Sequence, residues 1–184
     1  LDGATGAELF TVTDQNCQIS TTASVATGDI DGDGRPEIIA CDSTGTRLIA
    51  FEHDGTFKWR SPNLEAIYWG APALADLDQD GTPEIIMGRQ VLNNNGTIRW
   101  TGTGGSASQS GVGAISCVAD VDLDGHPEVV AGNTVYRANG AILWQIGLPD
   151  GHNALANFDG DGFPEIVLVS SGYVWLLEHT GAVK

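Results

Sequence analysis

Four stretches of the chain carry the same run of oxygen-bearing side chains. In the first, Asp29, Asp31, Asp33 and Glu37 stand at positions 1, 3, 5 and 9, with Gly34 at position 6 and Pro36 at position 8. Asp76, Asp78, Asp80 and Glu84 repeat the pattern around Gly81 and Pro83, and Asp120, Asp122, Asp124 and Glu128 repeat it around Gly125 and Pro127. The fourth has Asn157, Asp159, Asp161 and Glu165 around Gly162 and Pro164. Carboxylates this close repel: two unit charges at about 4 Å cost roughly 4 kcal/mol at an effective dielectric near 20. A fold holds four such clusters when a cation neutralises each. Hard oxygen donors in this number suit Ca²⁺, which takes about six to eight of them at roughly 2.3–2.6 Å.

The spacing lets positions 1, 3 and 5 of a tightly curled loop point inward. Glycine at position 6 permits the sharp turn. The main-chain carbonyl of position 7, on Arg35, Thr82, His126 or Phe163, can add a ligand, and the glutamate closes the cage with one or both oxygens. The loop is not an EF-hand, which needs a bidentate glutamate at position 12 and a helix after it. Position 12 here is Ala40, Met87, Ala131 and Leu168, and Ile38-Ile39, Ile85-Ile86, Val129-Val130 and Ile166-Val167 lead into strands. Asn157 leaves the fourth loop one charge short, so it is expected to be the weakest site.

Those loops account for most of the chain's acidity. They hold 15 of the 24 acidic residues behind the formal charge of −16, and four divalent ions would leave about −8. The charge is metal chemistry rather than a signal for basic partners. Eight Lys and Arg, scattered singly, exclude the clustered basic footprint of nucleic-acid binding. No apolar run approaches the roughly 18 residues of a membrane span, so membrane insertion is not expected. Leu1 stands inside a repeat, and the chain reads as a mature or excised piece. Cys17, Cys41 and Cys117 allow at most one internal disulfide. Calcium loops of this kind suit millimolar calcium, which places the protein outside the cell.

Elements able to position the loops recur with them. First ligands fall at 29, 76, 120 and 157, and each loop is followed by an apolar strand, a Gly turn and a strand ending in an aromatic. Asp54-Gly55, Asn95-Gly96 and Asn139-Gly140 precede Trp59, Trp100 and Trp144 at one spacing; Thr5-Gly6 opens the chain and Thr180-Gly181 closes it. Asn-Gly and Asp-Gly predict type I′ hairpins. Asn95-Gly96-Thr97 is also a glycosylation sequon, but the turn explains it. Each unit therefore reads as four strands, A before the acidic loop, B after it, then a C–D hairpin. Four-stranded units of about 40–45 residues are the pattern of propeller blades. The tryptophans are expected to pack blade on blade.

With these residues in hand, the units resemble FG-GAP or VCBS repeats, the calcium-binding blades of integrin-α-type β-propellers. Gly70-Ala71-Pro72 ahead of the second loop is close to the sequence that names them. The resemblance spans essentially the whole chain. It implies an all-β, calcium-binding propeller of four-stranded antiparallel blades, with one Ca²⁺ per loop, about four in all, on positions 1, 3, 5, 7 and 9. Glutamate at position 9, where integrin-type loops usually carry aspartate, is closer to bacterial and polysaccharide-active relatives. Such propellers usually have seven or eight blades. Leu1 and Leu176 occupy the same place in the repeat, so residues 1–184 read as a single four-repeat propeller fragment. Three arrangements follow: part of a longer chain, half of a dimeric eight-bladed ring, or a closed four-bladed ring, preferred in that order.

In such a fold the acidic loops share one face with the hairpins, and the connections Thr11–Ser24, Ser61–Pro72, Thr101–Ala114 and Gln145–Ala154 share the other. Tyr68, Trp69, His152 and Asn153 fall there and suit recognition of a glycan or protein, although Trp69 can equally pack between blades. The Gly/Ser stretch 102–113 reads as a flexible loop. His53, His126, His152 and His179 accompany no nucleophile motif, and no zinc motif occurs. The leading expectation is an extracellular, non-enzymatic binding or adhesion module with structural calcium. Assembly of blades into a surface fibre is one alternative; a part of a polysaccharide lyase is another.

Overall fold

A computed structural model of the chain describes residues 1–65 and 67–184. Among them are fifteen strands and no α-helix, in four antiparallel sheets whose strands follow one another in sequence order. The first sheet holds β1 (Val25–Gly28), β2 (Glu37–Cys41), β3 (Leu48–Phe51) and β4 (Phe57–Arg60). The second holds β5 (Ala73–Ala75), β6 (Glu84–Met87), β7 (Gln90–Leu92) and β8 (Ile98–Thr101). The third holds β9 (Cys117–Ala119), β10 (Glu128–Ala131), β11 (Thr134–Tyr136) and β12 (Ile142–Gln145). The fourth has three strands, β13 (His152–Ala156), β14 (Glu165–Ser170) and β15 (Tyr173–Leu177). Each acidic loop joins the first two strands of its sheet, as the sequence pattern predicts.

Successive sheets pack face on face, and β1, β5, β9 and β13 lie side by side in that order. The second strand of each sheet is apolar on both faces because alternate side chains enter different cores. Ile39 and Cys41 of β2 pack against Ile85 and Met87 of β6. Ile86 on the other face of β6 meets Val129 and Ala131 of β10, and Val130 meets Ile166 and Leu168 of β14. The two outer faces differ. Ile38, Ile49 and Phe51 of the first sheet are covered by Cys17 in the N-terminal segment, which turns through a short 3-10 stretch capped by Asp14. On the fourth sheet Val169 and its cross-strand partner Val174 point away from the third, and are 44% and 73% exposed.

The tryptophans tie one sheet to the next. Trp59 Nε1 donates to the Asn94 carbonyl at 2.9 Å, Trp100 to Ala138 at 2.9 Å, and Trp144 to His179 at 2.7 Å. Each ring lies on the hairpin glycine beyond it, where a Cβ on Gly96 would come within 2.5 Å of the Trp59 ring. Phe10 lies against Gly55 in the same relation. The hairpins are not type I′. Only the glycine takes positive φ, 85° at Gly55 and 81° at Gly96. The Gly55 amide bonds to Glu52 and the Glu52 amide to Thr56, a type I turn closed by a glycine bulge. The bulge shifts the register between Ala50 and Phe51, and again between Val91 and Leu92 and between Val135 and Tyr136. It occurs because the residue before each glycine keeps ordinary backbone angles, which type I′ forbids. All three cysteines are free, with Cys17 and Cys41 buried; burial pushes the Cys41 thiol up to about 11.

Candidate metal centres and the opposite loop face

The acidic loops are ordered by their own hydrogen bonds. Position 1 accepts from amides deeper in the loop: Asp29 from Gly32 at 2.7 Å and Gly34 at 2.8 Å, Asp76 from Gly81 at 2.9 Å, Asp120 from Gly125 at 2.9 Å, Asn157 from Gly160 at 2.6 Å. Position 5 accepts from the amide of position 7 in every loop, that is Asp33 from Arg35, Asp80 from Thr82, Asp124 from His126 and Asp161 from Phe163. Position 4 as well as position 6 takes the left-handed conformation. Glycine supplies it at Gly32 and Gly160, but Gln79 and Leu123 hold it at φ 61° and 58°.

The glutamate at position 9 is the buried member. Glu37, Glu84, Glu128 and Glu165 are between 0% and 4% exposed. One oxygen of each accepts from the amide at position 2: from Ile30 at 2.9 Å, Leu77 at 2.9 Å, Val121 at 3.0 Å and Phe158 at 2.6 Å. The other oxygen of each is left without a backbone bond. Burial raises the pKa of Glu37, Glu84 and Glu128 above the ordinary value, while the Phe158 amide lowers that of Glu165. Position 2 itself anchors the loop in the core, with Ile30, Leu77 and Val121 at 0% exposure; Phe158, with no sheet beyond it, is 57% exposed.

Carboxylate oxygens converge within 4.8 Å in all four loops, through Asp29, Asp31 and Asp33; Asp76, Asp78 and Glu84; Asp120, Asp122 and Glu128; and Asp159, Asp161 and Glu165. These clusters could each hold a metal ion. Two buried oxygens fit that reading, since Glu37 Oε1 and Asp120 Oδ1 have no hydrogen-bond partner. A carboxylate oxygen withdrawn from water without a partner is costly, and a cation removes the cost.

Four basic residues stand at the loops, a feature sequence reasoning missed by treating Lys and Arg as scattered. Lys58 Nζ lies 2.7 Å from Asp31 and 3.9 Å from Glu37. Arg99 pairs with Asp78 at 2.5 Å and Glu84 at 2.7 Å. Lys184 pairs with Asp159, and with Glu165 at 3.1 Å. All three occupy the third position after a hairpin glycine, which was the available signal. In the third unit that position is Leu143, and Arg137 reaches Asp122 at 3.3 Å and Asp124 at 3.2 Å from elsewhere. His53 meets Arg35 at 2.8 Å and His179 stacks on Phe163 at 4.0 Å, so hairpins and acidic loops do share a face.

On the opposite face the four sequence candidates are engaged in different ways. Tyr68 lies on Gly45 and accepts from the Gly113 amide through its carbonyl, and Trp69, at φ 63°, is 56% exposed. Nearby connections enclose a cavity of about 230 Å³ lined by Glu65, Gln90, Ser106 and Ser108 among others. Asn153 is committed elsewhere. Its amide brackets Gly132, accepting from the N–H at 2.6 Å and donating to the carbonyl at 3.0 Å. Ser116 does the same to Gly88 one unit earlier, so the role is structural and repeats. His152 is half-buried beside it in β13, with Nδ1 unpartnered. The 102–113 stretch is pinned rather than loose. Asp150 accepts from the Ser106 amide at 2.9 Å and hydroxyl at 3.0 Å, and the Tyr136 hydroxyl bridges Gly104 and Gly105.

Loop, strand and next loop recur as one pattern from Asp29 to Met87, and there the likeness to a known family is direct. Residues 29–87 match the FG-GAP-like repeat. That stretch contains the first two acidic loops and the strands from β2 to β6. No curated protein matches the chain by sequence. Among solved structures, the Vibrio cholerae biofilm matrix protein Bap1 superposes with a TM-score of 0.72 at 31% identity, over 87% of this chain and 27% of Bap1. The rhamnogalacturonan lyase YesW superposes at 0.63 with 20% identity, over 87% of this chain and 30% of the lyase. The BBS1 N-terminal region, from a complex with ARL6, superposes at 0.62 with 14% identity, over 91% of this chain and 57% of its own length. The chain thus spans less than a third of Bap1 and of YesW. The FG-GAP-like repeat and the Bap1 likeness agree with an extracellular setting, and no helix among the described residues is long and apolar enough to cross a membrane.

Proposed function

We propose that the chain is an extracellular β-propeller module, stabilised by about four Ca²⁺ ions, that binds a glycan or protein through the connections opposite its acidic loops. The observation that carries the calcium reading is the convergence of carboxylates in all four loops, in three of them on the buried glutamate, with a Glu37 oxygen left without a hydrogen bond in the first. Positions 1, 3, 5 and 9 supply the side-chain ligands, and Arg35, Thr82, His126 and Phe163 the carbonyls. The binding reading rests on Trp69, a bulky aromatic held exposed in a left-handed backbone conformation, in the same connection as Glu65 and Ile67, which help line a cavity of mixed polar and apolar character. Strain of that kind persists where the surroundings over-determine it. A glycan array, with Trp69→Ala as control, tests it. Binding that disappears in the variant while calcium affinity stays constant supports the reading; unchanged binding moves recognition away from this face. The YesW likeness concerns the fold and carries no activity to this chain.

Assembly is a second reading with its own observation. Ile39, Ile86 and Val130 are each covered by the following sheet, whereas the same face of the fourth sheet leaves Val169 and Val174 open. Another blade of this kind is the surface that fits. Light scattering in millimolar calcium and in EDTA decides: a species larger than 19.2 kDa favours assembly, and a monomer at all concentrations counts against it.

A further inference from the structure

We propose that Arg99, Lys58 and Lys184 are tethered competitors for the metal, and that the third loop, which lacks one on its glutamate, fills first. The inference rests on the calcium reading above and concerns these residues alone. In every loop one oxygen of the position-9 glutamate is held by the position-2 amide. The other carries no backbone bond and is the one open to a cation. In the second and fourth loops that oxygen is taken, by Arg99 at 2.7 Å and Lys184 at 3.1 Å; in the first, Lys58 stands 3.9 Å off. The third loop is different. Leu143 occupies the position of the competing cation, Arg137 reaches only Asp122 and Asp124, and among the described residues no ion pair reaches Glu128. Asp120 there keeps a buried oxygen without a partner.

Displacing the cations is not equally easy. Lys58 also contacts Glu52 at 2.8 Å and Lys184 contacts Glu178 at 3.0 Å, so each has an acidic partner outside the loop. The corresponding residue beside Arg99 is Asn93, which carries no charge. Arg99 therefore gives up both its ion pairs when a metal enters, and is the strongest competitor. The same groups neutralise the loops when calcium is scarce. One residue thus lowers affinity for the ion and supports the ion-free fold, with opposite signs on the two measurements.

The test is a calcium titration by calorimetry, with filling assigned by NMR to the amides of Gly34, Gly81, Gly125 and Gly160, each bonded to position 1 of its own loop. Melting in EDTA is the second readout. Gly125 is expected to respond first. Arg99→Met should tighten the second loop about tenfold, as removal of a nearby like charge requires, and lower the melting temperature in EDTA. Leu143→Lys should weaken the third loop about tenfold and leave the others alone. Arg99→Lys should restore the ordinary affinity of the second. Calcium binding in which Gly125 is not first, or in which Arg99→Met weakens the second loop, overturns this inference and leaves the calcium reading standing. No heat and no shifts in any loop overturn both.

Discussion

The two ends of the sheets are built on different principles. At the acidic end, one loop of nine residues is repeated four times, and its shape comes from bonds within itself: Asp29 to Gly34, Asp33 to Arg35, Glu37 to Ile30. At the other end the connections take their shape from neighbours, with Asp150 of one unit holding Ser106 of another and Asn153 holding Gly132. Local bonding makes a feature portable, so it can recur wherever its nine residues recur. Bonding across units makes each connection individual. That is why a metal function can be uniform along the chain while a recognition surface can sit in one place.

The largest effect expected of this contrast is on calcium removal. If ambient calcium stands about a hundredfold above Kd, each site contributes about 2.7 kcal/mol by linkage. Calorimetry in millimolar calcium and in EDTA should therefore show a fall in Tm of many degrees. An unchanged Tm would sink the calcium assignment. Next come the anchors of the repeated end. Leu77→Ala, between the second and third sheets, should cost about 2–5 kcal/mol. Phe158→Ala, exposed at the equivalent of Ile30, should cost under about 0.5 kcal/mol. Equal losses in urea melts would mean that the fourth loop is covered in solution.

Asp150→Ala sharpens the contrast from the other end. It strips partners from the Ser106 amide and hydroxyl and should cost about 1–3 kcal/mol. Hydrogen exchange should quicken from 104 to 108 with calcium affinity unchanged; a drop in affinity would show that the two ends are coupled. Smaller still are the backbone effects. No atom lies within 4 Å of a Cβ at Gly34, so Gly34→Ala measures the left-handed backbone alone, about 1–2 kcal/mol. Leu123→Gly relieves the same strain, offset by chain entropy, and should stabilise by a few tenths of a kcal/mol up to about 1.

The pH dependence without calcium is the finest test. Burial raises the folded-state pKa of Glu37, Glu84 and Glu128 above 4.5. A carboxyl that holds its proton more tightly when folded loses stability as pH climbs from its unfolded to its folded value. The Tm in EDTA should accordingly rise as pH falls from neutral toward 4.5. Below that it should fall, because Asp31, Asp80 and Asp159 have lowered pKa values and lose their native hydrogen bonds on protonation. In calcium the trend reverses at once, since protons compete with the ion. A Tm in EDTA that only falls on acidification would show that the buried glutamates do not dominate.

Much of this was readable in the residues because it depends on short-range chemistry. Glycine at position 6 and proline at position 8 dictate backbone angles. Apolar pairs such as Ile85-Ile86 dictate a strand buried on both faces, and the tryptophan after each hairpin marks a sheet-to-sheet contact. The hairpin type was misread because Asp-Gly is compatible with two turns, and only the bonds of Glu52 and Gly55 distinguish them. The tethered cations were missed because Lys58 and Asp31 are 27 residues apart, and only strand pairing brings them to 2.7 Å. The use of both Asn153 amide atoms on Gly132 was not legible because it needs the third and fourth sheets in contact. By itself the sequence determined the acidic loops, their repeat and the strands around them, since each is settled by residues a few positions apart. Tertiary structure alone decided which cation faces which carboxylate and which loop-face residues stay exposed, because those distances exist only once the sheets have packed.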